Sequence, residues 1–273
     1  MASIMKGSSI FELQTFCLIT GASRGLGRTI AIRFAERFPA GSVVVLMARN
    51  AKGLDQTKSA SEVNNPAVRV RTVAVDLGAV DEDTLRQNLG KVVKELGVSA
   101  GDFQQACIVH NAATLGDVSK NVTQHVSTTD IRKYWDVNLT SVVALNSVFL
   151  DLFPQGKVQQ RVVINISSIC AIQPFRSWSL YCAGKAARSM LFRTMALEEP
   201  SIRTLNYSPG PIDTNMQLQA RTETADPELK TLFYDMHENG RLLSTEESAS
   251  KLTSLLEANS FENGADIDYY DIK

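Results

Sequence analysis

Cysteine, histidine and proline are scarce in these 273 residues, at 4, 3 and 8. Cys17, Cys107, Cys170 and Cys182 are spaced neither as a zinc site nor as a compact disulfide framework, so reduced thiols are expected. His110, His125 and His237 are scattered without a metal motif, and no metal is expected. With no proline-rich linker and no repeat to divide it, the chain reads as one domain over 1–273. Charge of one sign is also missing: the formal net charge is −1 and no lysine-rich run occurs, which favours neither nucleic acid nor an anionic membrane surface. No apolar stretch approaches the length of a spanning helix, and Met1 to Gln14 lacks the long apolar core of a signal peptide, so a cytosolic protein is expected. Asn-x-Ser/Thr triplets at Asn121, Asn138, Asn165 and Asn206 read as chance matches, two of them lying inside apolar runs.

What the chain does contain is apolar runs separated by helix-length segments. Phe16–Ile19, Val43–Ala48, Val68–Val75, Ala106–Val109, Val162–Ile166 and Ile202–Tyr207 read as strands buried on both faces. Their alternation with helices predicts an α/β class: a single doubly wound domain, mostly parallel, with helices on both faces of the sheet. With 44% hydrophobic and 21% charged residues, the chain can bury a sizeable core.

The first run leads directly into Thr20-Gly-Ala-Ser-Arg-Gly-Leu-Gly27, followed by Leu26, Ile30, Phe34 and Ala35 at helical spacing. Gly21, Gly25 and Gly27 allow backbone amides to approach a pyrophosphate at a helix amino terminus, where unpaired N–H groups and the helix dipole favour anions. Ala22, Ser23, Arg24 and Leu26 complete that turn. The second strand ends in Arg49-Asn50, where a preference for NAD usually calls for an acid. A base there suits a 2′-phosphate, with Arg24 as a second cation, so NADP(H) is expected.

Further along, Tyr181-Cys-Ala-Gly-Lys185 follows a serine pair that closes the run Val162-Val-Ile-Asn-Ile-Ser-Ser168. If Trp178–Ala196 is helical, Tyr181 and Lys185 lie one turn apart on one face. An ammonium beside a phenol favours the phenolate and eases proton transfer. Ser168, at a strand's carboxyl end, can hydrogen-bond a carbonyl oxygen. These residue types suit hydride reduction of a carbonyl, which leaves charge on oxygen that must be stabilised and protonated.

Thr20-Gly21-x3-Gly25-x-Gly27, Asp76-Leu77, Asn111-Ala112, Asn138, Ser168, Tyr181 and Lys185 occur in an order that resembles the short-chain dehydrogenase/reductase family over nearly the whole chain. The resemblance implies a nucleotide-binding half at about 15–115 and a catalytic half at about 116–273. It implies that Asp76 and Leu77 border the adenine, that Asn111 and Ala112 run beside the cofactor, and that Asn138 supports a water in the proton relay. It further implies that Lys185 contacts the nicotinamide ribose. Pro209-Gly-Pro-Ile-Asp-Thr214 resembles the segment contacting the carboxamide side, so Ile212, Asp213 and Thr214, with Asn215, Met216 and Gln217, are expected at the cofactor. Ala113 stands where many members have glycine, which puts the local backbone in question.

Within the family, Ser167-Ser-Ile-Cys-Ala-Ile-Gln-Pro-Phe175, Trp178 to Arg188 and the tail Phe261 to Asp271 resemble members that reduce the side chains of pterins. That likeness implies that Asp268 receives the 2-amino and N3 edge of a pterin, two acceptors facing two donors. It also implies that Ile169, Gly210 and Met216 line the pocket, Trp178 supplying an apolar wall. Asp266 and Asp271 leave an exposed acidic tail as the alternative. The polar segment 215–239 resembles a substrate loop expected to close over the site. Asp130–Phe153 and Tyr181–Leu197 resemble the helix pair through which members form homodimers. A broad reductase of diketones, quinones or steroids, and a cofactor-binding sensor without turnover, remain as other readings.

Overall fold

A computed structural model describes residues 9–272; part of the amino-terminal segment read above for targeting lies outside them. Seven strands form one sheet: β1 (Thr15–Thr20), β2 (Val43–Ala48), β3 (Arg69–Ala74), β4 (Gln105–His110), β5 (Gln160–Ile166), β6 (Ile202–Ser208) and β7 (Ala265–Asp268). Their order is β3-β2-β1-β4-β5-β6-β7, and every described pairing is parallel. β1, β2 and β4 are buried along their full length because helices cover both faces of the sheet. The predicted runs therefore became strands, with ends at most two residues from those expected and β2 as expected at both.

One face packs under α1 (Gly25–Arg37) and α9 (Thr245–Ala258), where Ile30 and Phe34 meet Leu252 and Leu256 in a core shared with Ile19 and Val44. The other face packs under α3 (Glu82–Leu96), α5 (Ser141–Leu152) and α6 (Ser179–Glu198), through Leu85, Leu89, Leu145, Phe149 and Phe192. α2 (Ala51–Asn64) lies beside α1 and starts at Asn50, whose side chain accepts from the Gly53 N–H at 2.9 Å. α9 begins in a reciprocal cap, Ser244 and Glu247 each accepting from the other's backbone N–H.

Two findings differ from the sequence reading. The tail expected only as a binding segment forms β7, in which Ala265 and Ile267 pack on the core while Asp268 ends the strand. Four residues of alternating polarity carry too weak a period to mark a strand before their neighbour β6 is placed. The segment 130–153 is also not one regular helix. α4 (Thr128–Trp135) passes through a π-helical turn at Asp136–Thr140 into α5. Asn138 lies in that turn, and its Nδ2 donates to the Tyr134 carbonyl at 3.0 Å.

Strand order reverses between β1 and β4, and the carboxyl ends of the strands open there into a cleft, as expected at such a switch point. The segment 215–239 covers one side of it as a pair of packed helices, α7 (Asn215–Glu223) and α8 (Pro227–Glu238).

Candidate active site

The cleft has a volume of about 1290 Å³. At its nucleotide end, β1 turns into α1 through Gly21 (φ 68°) and Gly25 (φ 56°), both in the left-handed region that a side chain disfavours. A Cβ on Gly21 would stand 2.7 Å from the Asn111 amide nitrogen, and one on Gly27 would meet the Gly21 carbonyl. Arg24 caps α1 without a side-chain hydrogen bond, and the first turn holds no acid. The helix thus presents its amides to an anion without a competing carboxylate. Ser23, Arg24, Leu26, Arg49, Asn50, Asp76 and Leu77 line this end, the two arginines exposed toward it. A dinucleotide with an anionic bridge fits these residues. Asn111 ties the turn to β4 by donating from Nδ2 to the Thr20 carbonyl at 3.0 Å. Ala113 keeps a negative φ, so its departure from glycine leaves no strain.

The reacting end is built on β5 and α6. Ser168 follows β5 and stands on the cleft wall, its Oγ accepting from the Cys170 N–H at 3.2 Å. Tyr181, on the second half-turn of α6, is buried at 7% exposure with its ring edge-on to Trp178, 5.5 Å away. Its hydroxyl approaches Met216 Sδ at 3.9 Å. Lys185 donates to the Ile166 carbonyl at 2.7 Å and lies 5.5 Å from the Tyr181 ring centroid. Burial pushes the Tyr181 phenol up, with Cys170 adding to the effect, against a hydrogen bond from Ser168 and the charge of Arg188. Burial and Arg188 hold Lys185 well below its ordinary value. Desolvation of a fully buried phenolate is the largest of these effects. The phenol therefore keeps its proton at neutral pH, as a proton donor must.

Ser168, Ile169, Gly210 and Asp268 share the wall of this cleft with Tyr181, Lys185, Asn111 and Ala112. So do Ile212, Asp213, Thr214, Asn215, Met216 and Gln217. Two expected residues stand back from it. Ala22 is fully buried behind the glycine turn, packed in the core that holds β1. Asn138 is 2% exposed and does not line the cleft; both ends of its amide are engaged, Oδ1 accepting from the Thr114 N–H at 3.0 Å. Its amide therefore fastens the π-helical turn to the segment after β4.

Gly210 (φ 74°) lets the chain pass against Leu243, and Asp268 accepts from the Tyr270 N–H at 3.0 Å, fixing the carboxylate at the start of a short 3₁₀ turn. Trp178 donates from its indole N–H to Thr224 at 3.0 Å and stacks on Phe233, centroids 5.1 Å apart. The sequence reading had named Trp178 but missed Leu232, Phe233 and Met236, which line the cleft from α8. Together with Leu229 they recur at helical spacing, the signal by which they could have been found.

A family model described as short chain dehydrogenase matches residues 15–225. The chain is 46% identical to the sepiapterin reductase of Bos taurus, over 94% of this chain and 95% of that one. It is 30% identical to a benzil reductase ((S)-benzoin forming) of Bacillus cereus, over 91% and 96%. Among solved structures it resembles that of the KRED1-Pglu enzyme, with a TM-score of 0.77, 30% identity and coverage of 93% of this chain and 100% of that one. With the glycine turn, the Ser168–Tyr181–Lys185 cluster and the all-parallel sheet already in place, these matches make the chain a member of the short-chain dehydrogenase family of oxidoreductases.

Proposed function

We propose that the protein is an NADPH-dependent reductase of the side-chain carbonyls of pterins, acting on sepiapterin or on 6-pyruvoyl-tetrahydropterin in the last step of tetrahydrobiopterin formation. The observation that carries this reading is Asp268, on the wall of the same cleft as Ser168 and Tyr181 in a chain 46% identical to a sepiapterin reductase. Its carboxylate offers two acceptors to the paired N–H donors of a pterin ring. Arg24 and Arg49, without an acid at the end of β2, favour a 2′-phosphate and hence NADP(H).

When bound, the nicotinamide cofactor supplies the hydride. Gly21, Gly25 and Gly27 would hold its pyrophosphate, Asp76 and Leu77 its adenine, and Lys185 its nicotinamide ribose. Ser168 donates a hydrogen bond to the substrate carbonyl oxygen and polarises it. Tyr181 passes its phenolic proton to that oxygen, and the positive charge of Lys185 stabilises the phenolate left behind. Trp178, Phe233 and Met216 keep water from the reacting carbonyl. The protein acts as a homodimer through α5 and α6, whose outer faces expose Val143, Met190 and Leu197, and it works in the cytosol.

The test is the loss of NADPH absorbance with sepiapterin and with a vicinal diketone, for wild type and Asp268→Ala. Pterin turnover that collapses in the variant while diketone turnover survives is the expected result. An equal loss on both substrates would rule out anchoring by Asp268. A broader reductase of aromatic diketones is the second reading. It is favoured by the benzil reductase relative and the apolar wall of Trp178, Phe233 and Leu115; diketone turnover alone would establish it.

A further inference from the structure

Arg188 is fully buried, and among the described residues no carboxylate pairs with it. Such a guanidinium is costly to bury and persists only when its donors are met. They are met by oxygens. Nη2 donates to the His110 carbonyl at 2.6 Å, Nη1 to the Ala112 carbonyl at 3.0 Å and Nε to Asn165 Oδ1 at 2.9 Å. Asn165 is in turn held by Nδ2 donating to Asn206 Oδ1 at 2.8 Å. One planar fork thus joins α6 to the end of β4, to the turn lining the cofactor cleft, and to β5. A single ammonium could not span these acceptors.

The position of the charge is as specific as its bonds. On α6, Arg188 lies three residues beyond Lys185 and seven beyond Tyr181, on the same helix face but behind the cleft wall that those two residues line. We propose that Arg188 is a positioning residue of the reduction. It holds the Asn111–Ala112 turn against the cofactor cleft, and it lends a second fixed positive charge to the Tyr181 oxygen once its proton has left. The inference rests on the reading of Tyr181 as proton donor. Transfer of that proton to the substrate oxygen leaves a phenolate in a buried site, where each fixed cation lowers its cost. The groups facing Tyr181 are Lys185, Arg188 and Cys182 from α6, Cys170 and Ser168 from the turn after β5, and Tyr134 from α4; His110, Tyr134 and the like charge of Lys185 also face Arg188. Of these groups the charge of Arg188 favours the phenolate, against burial and Cys170, and Lys185 Nζ lies 5.5 Å from the phenol ring centroid.

Two variants test the two parts. Arg188→Gln removes the charge, so the phenol titrates at higher pH. The rise of alcohol oxidation with pH should move up by about one unit, and carbonyl reduction at pH 7 should fall at least about tenfold with KM for the carbonyl nearly unchanged. Arg188→Lys keeps the charge and loses the fork. It should return the pH profile to that of wild type while NADPH binding, read from quenching of tryptophan fluorescence, stays weakened by about tenfold. A profile that does not move in Arg188→Gln, or equal defects of both variants in every readout, would overturn the proposal. Should Arg188→Gln fail to fold, Arg188→Lys still decides. A wild-type profile with weakened NADPH binding supports the proposal, and a shifted profile with unaltered binding refutes it. Failure of the donor reading would show separately, as wild-type turnover by Tyr181→Phe.

Discussion

Lys185 stands one turn along α6 from Tyr181, yet its ammonium donates to the Ile166 carbonyl at 2.7 Å and lies 5.5 Å from the centroid of the phenol ring. The pair is thus a phenol and a cation held to one strand end rather than a direct hydrogen bond. β5 and α6 together set their distance, so a change in either element alters the charge placed beside the phenol.

Tyr181→Phe removes the donor and leaves the ring that packs on Trp178. Reduction should fall by about 10²–10⁴-fold, while NADPH binding stays within a few-fold of wild type. Stopped-flow hydride transfer and fluorescence titration measure the two quantities separately.

Arg49 follows β2, exposed on the cleft wall. If it meets the 2′-phosphate, Arg49→Ala should raise KM for NADPH by about tenfold and leave that for NADH unchanged. An unchanged NADPH value would remove the basis for the cofactor preference.

Gly21 has φ 68°, and a Cβ there would lie 2.7 Å from Asn111 Nδ2 and 3.0 Å from the Ala112 backbone. Gly21→Ala should destabilise the fold by about 2 kcal/mol and abolish NADPH binding, since relief requires the turn and the Asn111 segment to part. Thermal unfolding with and without NADPH reads both effects: the ligand-induced rise in Tm expected for wild type should be absent from the variant.

His110 ends β4 in a stack on Phe192, with centroids 5.2 Å apart, and burial followed by the charge of Arg188 holds its pKa down to about 3. The folded state thus takes up its proton later than the unfolded chain, whose histidine titrates near about 6.5. Stability from this group is full above the unfolded value and is lost as pH falls toward the folded one, by up to about 1.4 kcal/mol per pH unit. Urea unfolding at pH 6.5 and 4.5 should show wild type losing about 2 kcal/mol more than His110→Asn over that interval.

The legible parts of the fold were those with a strong local period. Val43–Ala48 reads as a buried strand and is one, because an all-apolar run bounded by turns has few other uses in an α/β chain. β7 was not legible, since Ala265–Asp268 gains its identity only from hydrogen bonds to β6. At the site, Ser168, Tyr181 and Lys185 were readable because their spacing is local or ordered. The withdrawal of Asn138 from the cleft was not, because it follows from a π-helical turn whose register depends on Thr114, 24 residues away in sequence.

The sequence alone determined the class of fold, the glycine turn and the residue types able to donate a proton and meet a 2′-phosphate, since these depend on spacing within one element. Tertiary structure decided the rest. It converted an acidic tail into a strand that carries Asp268 to the cleft. It turned a polar segment into two helices clamped by the Trp178–Thr224 hydrogen bond, and it buried Arg188 between α6 and the ends of β4 and β5. Desolvation, which sets the charge state of Tyr181, Lys185 and His110, arises only when distant segments close over a group and exclude water.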